Sequence, residues 1–363
     1  MRSSVQAPHA GAAGSKAEGH IPTLDGLRAV AIVIVIASHA LPVENYPRIA
    51  NLGHLGVMLF FALSGFLITS RLLDEARKNG RISLRNFYLR RVFRILPPAC
   101  FYLGVLAVGT AAGLVVCNFA SIRAALLLYT NYAPPSELGW KAGHFWSLSV
   151  EEHFYLFWPF ALTLFGVRKG WRTALVMIAG ICVWRAVDNH YQILAHVTHM
   201  PWLTASASFR TDMIADTLLW GCVLAYYYRR PERRKLNAAA ATLLALVAVV
   251  LLALPFEIDI PHVSFVVDFL PALVLGAIVT VPEGPIGRLL EWAPMKLVGR
   301  LSYSLYIWQQ FFFGGPGYHL PRPVAVLALA GCAALSYWCI EQPMIRYGRR
   351  FLKRTKPAPV LAG

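Results

Sequence analysis

Ten apolar runs of near-spanning length recur along the 363 residues of this chain, at roughly 24–42, 55–73, 95–116, 145–166, 173–187, 211–228, 238–255, 263–281, 297–314 and 323–341. A water-soluble core cannot take up so many. The composition points the same way, with 57% hydrophobic and 14% charged residues and a mean hydropathy of +0.53. The predicted fold is all-α, a polytopic transmembrane helical bundle of about ten membrane-spanning helices. An even number of spans returns both termini to one side. With the N-terminus in the cytoplasm, all but six of the 34 Lys and Arg fall in inner segments, counting Arg28 and Arg94 at helix edges, as the positive-inside rule requires. The net charge of +16 is then topological. Its basic residues are scattered over loops such as Arg229-Arg230-Pro-Glu-Arg-Arg-Lys235 and form no nucleic-acid-binding motif, so the expected partner is membrane lipid and not nucleic acid.

Residues 1–20, rich in Ala, Gly, Ser and His, show no periodicity and read as a disordered cytoplasmic lead. They do not read as a signal peptide, because the apolar run that follows is too long, lacks a small-residue cleavage pattern and carries Arg28 at its start. Residues 21–345 form the expected transmembrane domain and 346–363 a basic cytoplasmic tail. The six cysteines lie in or beside spans without metal-ligand spacing and read as packing residues; no metal is expected. His190, His196 and His199, in an outer loop without carboxylate or Cys partners at metal spacing, read as solvated.

The functional signal lies in polar residues within the spans. Arg28 and His39 are eleven positions apart, which at about 100° per residue puts both on one helix face, roughly 16 Å apart along the axis. Ionisable groups at that depth are functional candidates by default; the structural alternative is a snorkelling Arg and an interhelical His. Arg90, Arg91 and Arg94 cluster over one turn if the helix runs up to Pro97-Pro98, making either a phosphate receptor or a positive-inside stop signal. The fourth run opens His144-Phe-Trp146-Ser147-Leu-Ser-Val-Glu151-Glu152-His153-Phe-Tyr155. Two adjacent carboxylates about two turns inside a span are too costly to be kept for packing. Glu151, descending from the outer side, reaches the depth of His39, where a carboxylate would orient the imidazole. Arg210 either pairs with Asp212 or Asp216 or lines an acceptor pocket. Tyr303 and Tyr306 add hydroxyls to the ninth run, and Glu341 is expected to pair with a nearby Arg such as Arg346.

In this order, on these helices, the elements resemble the acyltransferase 3 family of bacterial integral-membrane O-acyltransferases, in its single-domain form, from Leu24 to about Arg346. The family's first-helix Arg and His match Arg28 and His39, preceded by Leu24-Asp25-Gly26. Its second-helix pattern is similar to Gly56-Val-Met58-Leu-Phe-Phe-Ala-Leu-Ser64-Gly65-Phe66. Its Arg-Arg-x-x-Arg element maps onto Arg90, Arg91 and Arg94, and its Trp-Ser-Leu-x-x-Glu-x-x-Phe-Tyr segment onto Trp146, Ser147, Glu151 and Tyr155. The chain departs from the pattern at Met58, where many relatives have Asp, at Gln309, in place of a frequent His, and at Ile214, often Arg. These departures bear on acceptor identity and proton handling. The fused extracytoplasmic esterase-like domain of some relatives is not expected here, which leaves room for a separate periplasmic or glycan-assembly partner.

The resemblance implies a membrane O-acyltransferase of the bacterial cytoplasmic membrane that moves an acyl group, commonly acetyl, from cytoplasmic acyl-CoA to a sugar hydroxyl. Acyl-CoA is then a co-substrate, with no tightly bound cofactor. Carried over, the family's roles make His39, Glu151 and Arg28 catalytic and give the CoA phosphates to Arg90, Arg91 and Arg94. Asp25, Ser64, His144, Trp146, Ser147, Glu152, Tyr155, Arg210, Asp212 and Tyr303 would support the site or line the acceptor pocket, Asp25 by pairing with Arg28. His39 would serve either as general base or as transient acyl carrier. The expected acceptor is a cell-envelope glycan or lipid-linked sugar, with a small molecule such as a macrolide as the alternative. A proton-coupled transporter is the rival from another class, against which stands the lack of repeated halves and of paired interrupted helices.

Overall fold

A computed structural model describes residues 21–41, 47–205, 207–230, 237–253, 264–315 and 320–354, and every regular element among them is helical. In chain order the α-helices are α1 (Pro22–Ala40), α2 (Pro47–Asn79), α3 (Leu84–Ala111), α4 (Phe119–Leu126), α5 (Trp140–Gly143), α6 (Phe145–Phe165), α7 (Gly170–Tyr191), α8 (Ile193–Thr198) and α9 (Trp202–Ala205). They continue as α10 (Thr211–Ile214), α11 (Asp216–Tyr228), α12 (Ala238–Ala253), α13 (Ser264–Thr280), α14 (Pro285–Leu290), α15 (Ala293–Phe312), α16 (Arg322–Ser336) and α17 (Gln342–Arg354). The expected disordered lead, 1–20, lies outside the described residues. Much of the expected tail, by contrast, is helix α17.

Among the described residues, five segments are long and apolar enough to cross a membrane: Pro22–Ala40, Leu52–Asn79, Leu84–Ala111, Val167–Tyr191 and Arg322–Lys353. The other expected runs are helical too but shorter or more polar. Helix α6 carries Glu151, Glu152 and His153, α11 has 13 residues, and α12 and α13 have 16 and 17. The run at 211–228 is also broken at Ala215, between α10 and α11.

Helix α3 does not stop at Pro97-Pro98 but runs through both prolines to Ala111. The two missing N–H groups leave the Phe93 and Arg94 carbonyls without their helical donors, and in the same turn the Tyr303 hydroxyl donates to Ile95 O at 2.7 Å. At its start, Ser83 caps α3 by accepting from Asn86 N, while Glu75 at the end of α2 accepts from Ser83 N at 3.0 Å.

Helix α1 packs mainly against α2 and α15, and α2 also against α11. Glycines let these helices touch backbone to backbone: a Cβ on Gly65 would collide with the Leu218 carbonyl, and one on Gly221 with the Ala62 carbonyl. Gly299 of α15 meets the Asp25 carbonyl of α1 in the same way. The outward side chains are apolar, including Leu156, Phe157, Phe160 and Leu164 on α6 and Leu327, Leu335 and Trp338 near the C-terminal end, as lipid-facing surfaces are.

Candidate functional site

Helices α1, α2, α3, α6 and α15 line an open cavity with about 900 Å³ of empty space, the solvent at its mouth included. One end holds four guanidiniums, Arg28 of α1, Arg71 of α2 and Arg91 and Arg94 of α3, against a single lining carboxylate, Glu151. Glu151 accepts a 2.5 Å hydrogen bond from the Ser64 hydroxyl, which in turn accepts from Tyr155 OH at 3.1 Å. The Arg91 guanidinium lies over the Tyr155 ring, 4.5 Å from its centroid. The lining at this end therefore holds more guanidiniums than carboxylates, although Asp25 and Glu341 face Arg28 from behind it, and it suits a polyanionic ligand.

The opposite end is closed by Phe60, Phe61, Ser147 and Tyr306. The Tyr306 hydroxyl lies 2.5 Å from Ser147 Oγ and 2.9 Å from the His144 carbonyl. Beyond this closure stands His39, in the last turn of α1. Its Nδ1 lies 2.7 Å from Val35 O, so Nδ1 carries the proton and Nε2 is the basic nitrogen. Nε2 accepts from the Gln310 amide at 3.2 Å, while Gln310 Oε1 accepts from His144 N at 3.0 Å and from His144 Nδ1 at 2.8 Å. Trp140 meets the His39 ring edge-on at 5.7 Å and is tied by its indole N–H to Phe313 O at 2.8 Å. Gly314 and Gly315, both at positive φ, leave the space this indole occupies, since a Cβ on either would strike it.

A family model described as an acyltransferase domain matches residues 21–341, nine-tenths of the chain and all of the helices that build the cavity. The chain belongs to the acyltransferase 3 family. It is 27% identical over 366 residues to a peptidoglycan O-acetyltransferase of Listeria monocytogenes, covering 91% of this chain and 56% of that protein. It is 28% identical, again over 366 residues, to an O-acetyltransferase of Staphylococcus aureus, covering 91% of this chain and 58% of that protein. The chain thus spans little more than half the length of these curated relatives. No solved structure matches it.

Within this acyltransferase 3 domain, the motif residues separate into groups the sequence did not distinguish. Arg28, Ser64, Arg91, Arg94, Ser147, Glu151, Tyr155 and Tyr303 line the cavity. Arg90 does not: it is exposed and paired with Glu75 at 2.8 Å, captured by the carboxylate that also caps the α2–α3 turn. Its expected place among the guanidiniums is taken by Arg71. Seven residues after Ser64, and so on the same face of α2, Arg71 was findable from helical spacing.

Glu151 does not orient His39. Seven residues separate it from His144, two helical turns or about 10 Å, so it falls at the arginine end while His144 falls beside His39. The group on His39 is Gln310, next to the Gln309 that the family pattern drew attention to. Gln309 itself is fully buried, with neither amide atom hydrogen-bonded among the described residues. Met58 is buried, accepting a 3.6 Å contact from Thr217 Oγ1, and Ile214 is buried as well.

Arg210 and Asp212 form an ion pair at 2.5 Å, and Arg210 also pairs with Asp188 of α7 at 2.8 Å. Trp184 and Tyr132 donate to Asp212 at 2.7 and 2.8 Å. Asp216, expected as an alternative partner of Arg210, instead pairs with Arg185 at 2.8 Å, and Arg185 also holds Asp268 at 2.6 Å. These residues tie α7, α10, α11 and α13 together outside the cavity. Glu341 does not reach Arg346. A π-helical turn at Tyr337–Glu341 turns it inward, where it accepts from Ser304 at 3.0 Å and faces Arg94 and Arg28. Glu152 is partly buried with Oε1 unbonded among the described residues, and Trp146 stands on the outward side of Phe61. Asp25 faces Arg28 electrostatically. His190, His196 and His199 are exposed.

Proposed function

We propose that this protein is a multi-pass membrane O-acetyltransferase that takes its acyl group from cytoplasmic acyl-CoA and delivers it to a hydroxyl of an envelope carbohydrate. The observation that carries this reading is the two-ended cavity: four guanidiniums at one end and a hydrogen-bonded imidazole just beyond the other. CoA is a thin molecule with three phosphate groups at one end and a thioester at the other. Its pyrophosphate and 3′-phosphate match Arg28, Arg71, Arg91 and Arg94, and its pantetheine arm follows the cavity towards His39. The O-acetyltransferase names of the Listeria and Staphylococcus relatives agree with acetyl as the acyl group.

In the direct route, His39 Nε2 takes the proton of the acceptor hydroxyl as its oxygen attacks the thioester carbonyl. The C–S bond breaks and the CoA thiolate leaves, recovering a proton from His39. In the alternative route, Nε2 itself attacks the thioester carbonyl and the CoA thiolate leaves; the acceptor hydroxyl then attacks the acyl-histidine, its proton passing to the thiolate as the N–C bond breaks and Nε2 is released. Both routes require Nε2 to let go of the Gln310 amide and Tyr306 to move from between cavity and imidazole. The orientation that suits them places both termini in the cytoplasm and the His39 end of about ten spans towards the outside.

The test is acetyl transfer by purified protein in nanodiscs with acetyl-CoA and an oligosaccharide acceptor. His39→Ala is expected to abolish transfer while the protein still binds CoA; wild-type turnover in that variant would sink the mechanism. Rapid acid quench followed by peptide mass spectrometry separates the routes, since only the second leaves acetyl on His39.

A further inference from the structure

The donor cavity leaves unused a group of rings on the outward side of His39. Trp146, in the first turn of α6, is their centre. It meets cavity-lining Phe61 edge-on at 6.1 Å, lies near-parallel to His54 at 6.1 Å and 13°, and packs against Phe209 at 4.8 Å. His54 and Phe209 are exposed, Phe209 by 41%. The group adjoins the turn of α1 that carries His39: His54 follows Gly53, which is packed on Ser38, and the Ser38 hydroxyl is 3.3 Å from His39 Nδ1. On another side of the imidazole stands Trp140, itself 39% exposed. No side chain of this ring group carries a formal charge at neutral pH.

Exposed rings beside a proton acceptor have a specific chemistry to offer. A pyranose whose substituents are equatorial presents a flat face of C–H groups, while its hydroxyls point outwards from the rim. The negative face of an aromatic ring attracts those C–H groups, and stacking removes two apolar surfaces from water while the hydroxyls stay free to react. An axial hydroxyl takes one of the two flat faces away and so weakens the stacking.

We infer that His54, Trp146 and Phe209 form the acceptor subsite, stacking a neutral pyranose with equatorial substituents so that one rim hydroxyl meets His39, with Trp140 as a further wall. The inference rests on the carbohydrate-acceptor reading above and adds to it the place and shape of the sugar. A ring of aromatics serving only to anchor the protein at the membrane interface is the competing account.

The experiment uses the full chain in nanodiscs. Saturation-transfer NMR with chitotetraose and with mannotetraose, without acetyl-CoA, measures sugar binding alone; initial rates with acetyl-CoA follow. Saturation is expected on the ring C–H protons of chitotetraose and much less on those of mannotetraose, whose sugar carries an axial hydroxyl. The double variant His54→Ala, Phe209→Ala, confined to exposed positions, is expected to lose that saturation and to raise the acceptor KM about tenfold, with kcat and acetyl-CoA KM little changed. Trp146→Phe should keep more acceptor affinity than Trp146→Leu. Acetylation of chitotetraose by wild type and double variant with equal acceptor KM and equal saturation overturns the subsite and leaves the acyltransfer reading standing. A wild-type protein that transfers acetyl to another alcohol but neither binds nor acetylates either saccharide overturns the subsite and the carbohydrate acceptor together.

Discussion

Gln310 has no charge and sits in no motif, yet its amide holds the nitrogen of His39 that the Nδ1 contact to Val35 O leaves basic. By donating to Nε2 and accepting from His144, it supports that tautomer and holds the ring in one orientation. Gln310→Leu is expected to cut kcat about 100-fold with the acetyl-CoA KM unchanged, because a displaced catalytic group costs rate and not donor affinity. It would also leave two buried His144 donors unpaired, at about 1–3 kcal/mol each, read as a lower Tm. At the other end of the cavity, Arg91→Ala is expected to raise the acetyl-CoA KM between 10- and 100-fold, since each charge-assisted bond to a phosphate contributes about 1.5–3 kcal/mol. Arg90→Ala should change it less than about twofold, its partner being a surface carboxylate. Equal effects of the two substitutions in steady-state kinetics would contradict the different placement of adjacent arginines. The Arg91–Arg94 pair was legible from helical spacing; Arg90 was not separable from it, because its capture depends on Glu75, fifteen residues earlier on another helix.

Between helices, close backbone contact does what apolar burial does in water, since lipid is as apolar as the side chains it would replace. The crossing of α2 and α11 depends on Gly65 and Gly221, each facing a carbonyl of the partner helix. Gly65→Leu is expected to force that crossing apart, lowering the Tm in detergent by several degrees and raising the acetyl-CoA KM, because Ser64 and Arg71 ride on the same helix. Gly104→Leu on α3, where a Cβ meets nothing within 4 Å, is the control expected to leave Tm unchanged. The π-helical turn before α17 is the element no periodicity announces. One extra residue in the turn sends Glu341 towards Ser304 and the guanidiniums, where an ordinary α-turn would have kept the outward phase assumed in pairing it with Arg346.

Over the whole molecule, the proposed orientation, drawn from the positive-inside count, has the arginine end in the cytoplasm and the Trp140–His54 end outside. In a variant with the six native cysteines replaced by Ala, a Cys at Ser136 is expected to react with a membrane-impermeant maleimide on intact cells, whereas Cys at Lys78 or Arg349 should react only after permeabilisation. The reverse pattern would place the donor site on the wrong side for cytoplasmic acyl-CoA. Sequence alone determined the helical class, the membrane as solvent and the family, because apolar run length, charge bias and ordered motifs are properties of the chain read locally. It also brought Arg28, His39, Ser64, Arg90, Arg91, Arg94, Glu151 and Tyr155 forward as site candidates, since ionisable and polar residues are costly within spans. Only the tertiary structure decided which of these share a cavity and which partner each one takes. Glu151 bonds Ser64 and not His39, Arg210 joins a clamp between helices, and His39 answers to Gln310, because contact between helices depends on their rotation and relative depth. Neither quantity is written in the spacing of any single run.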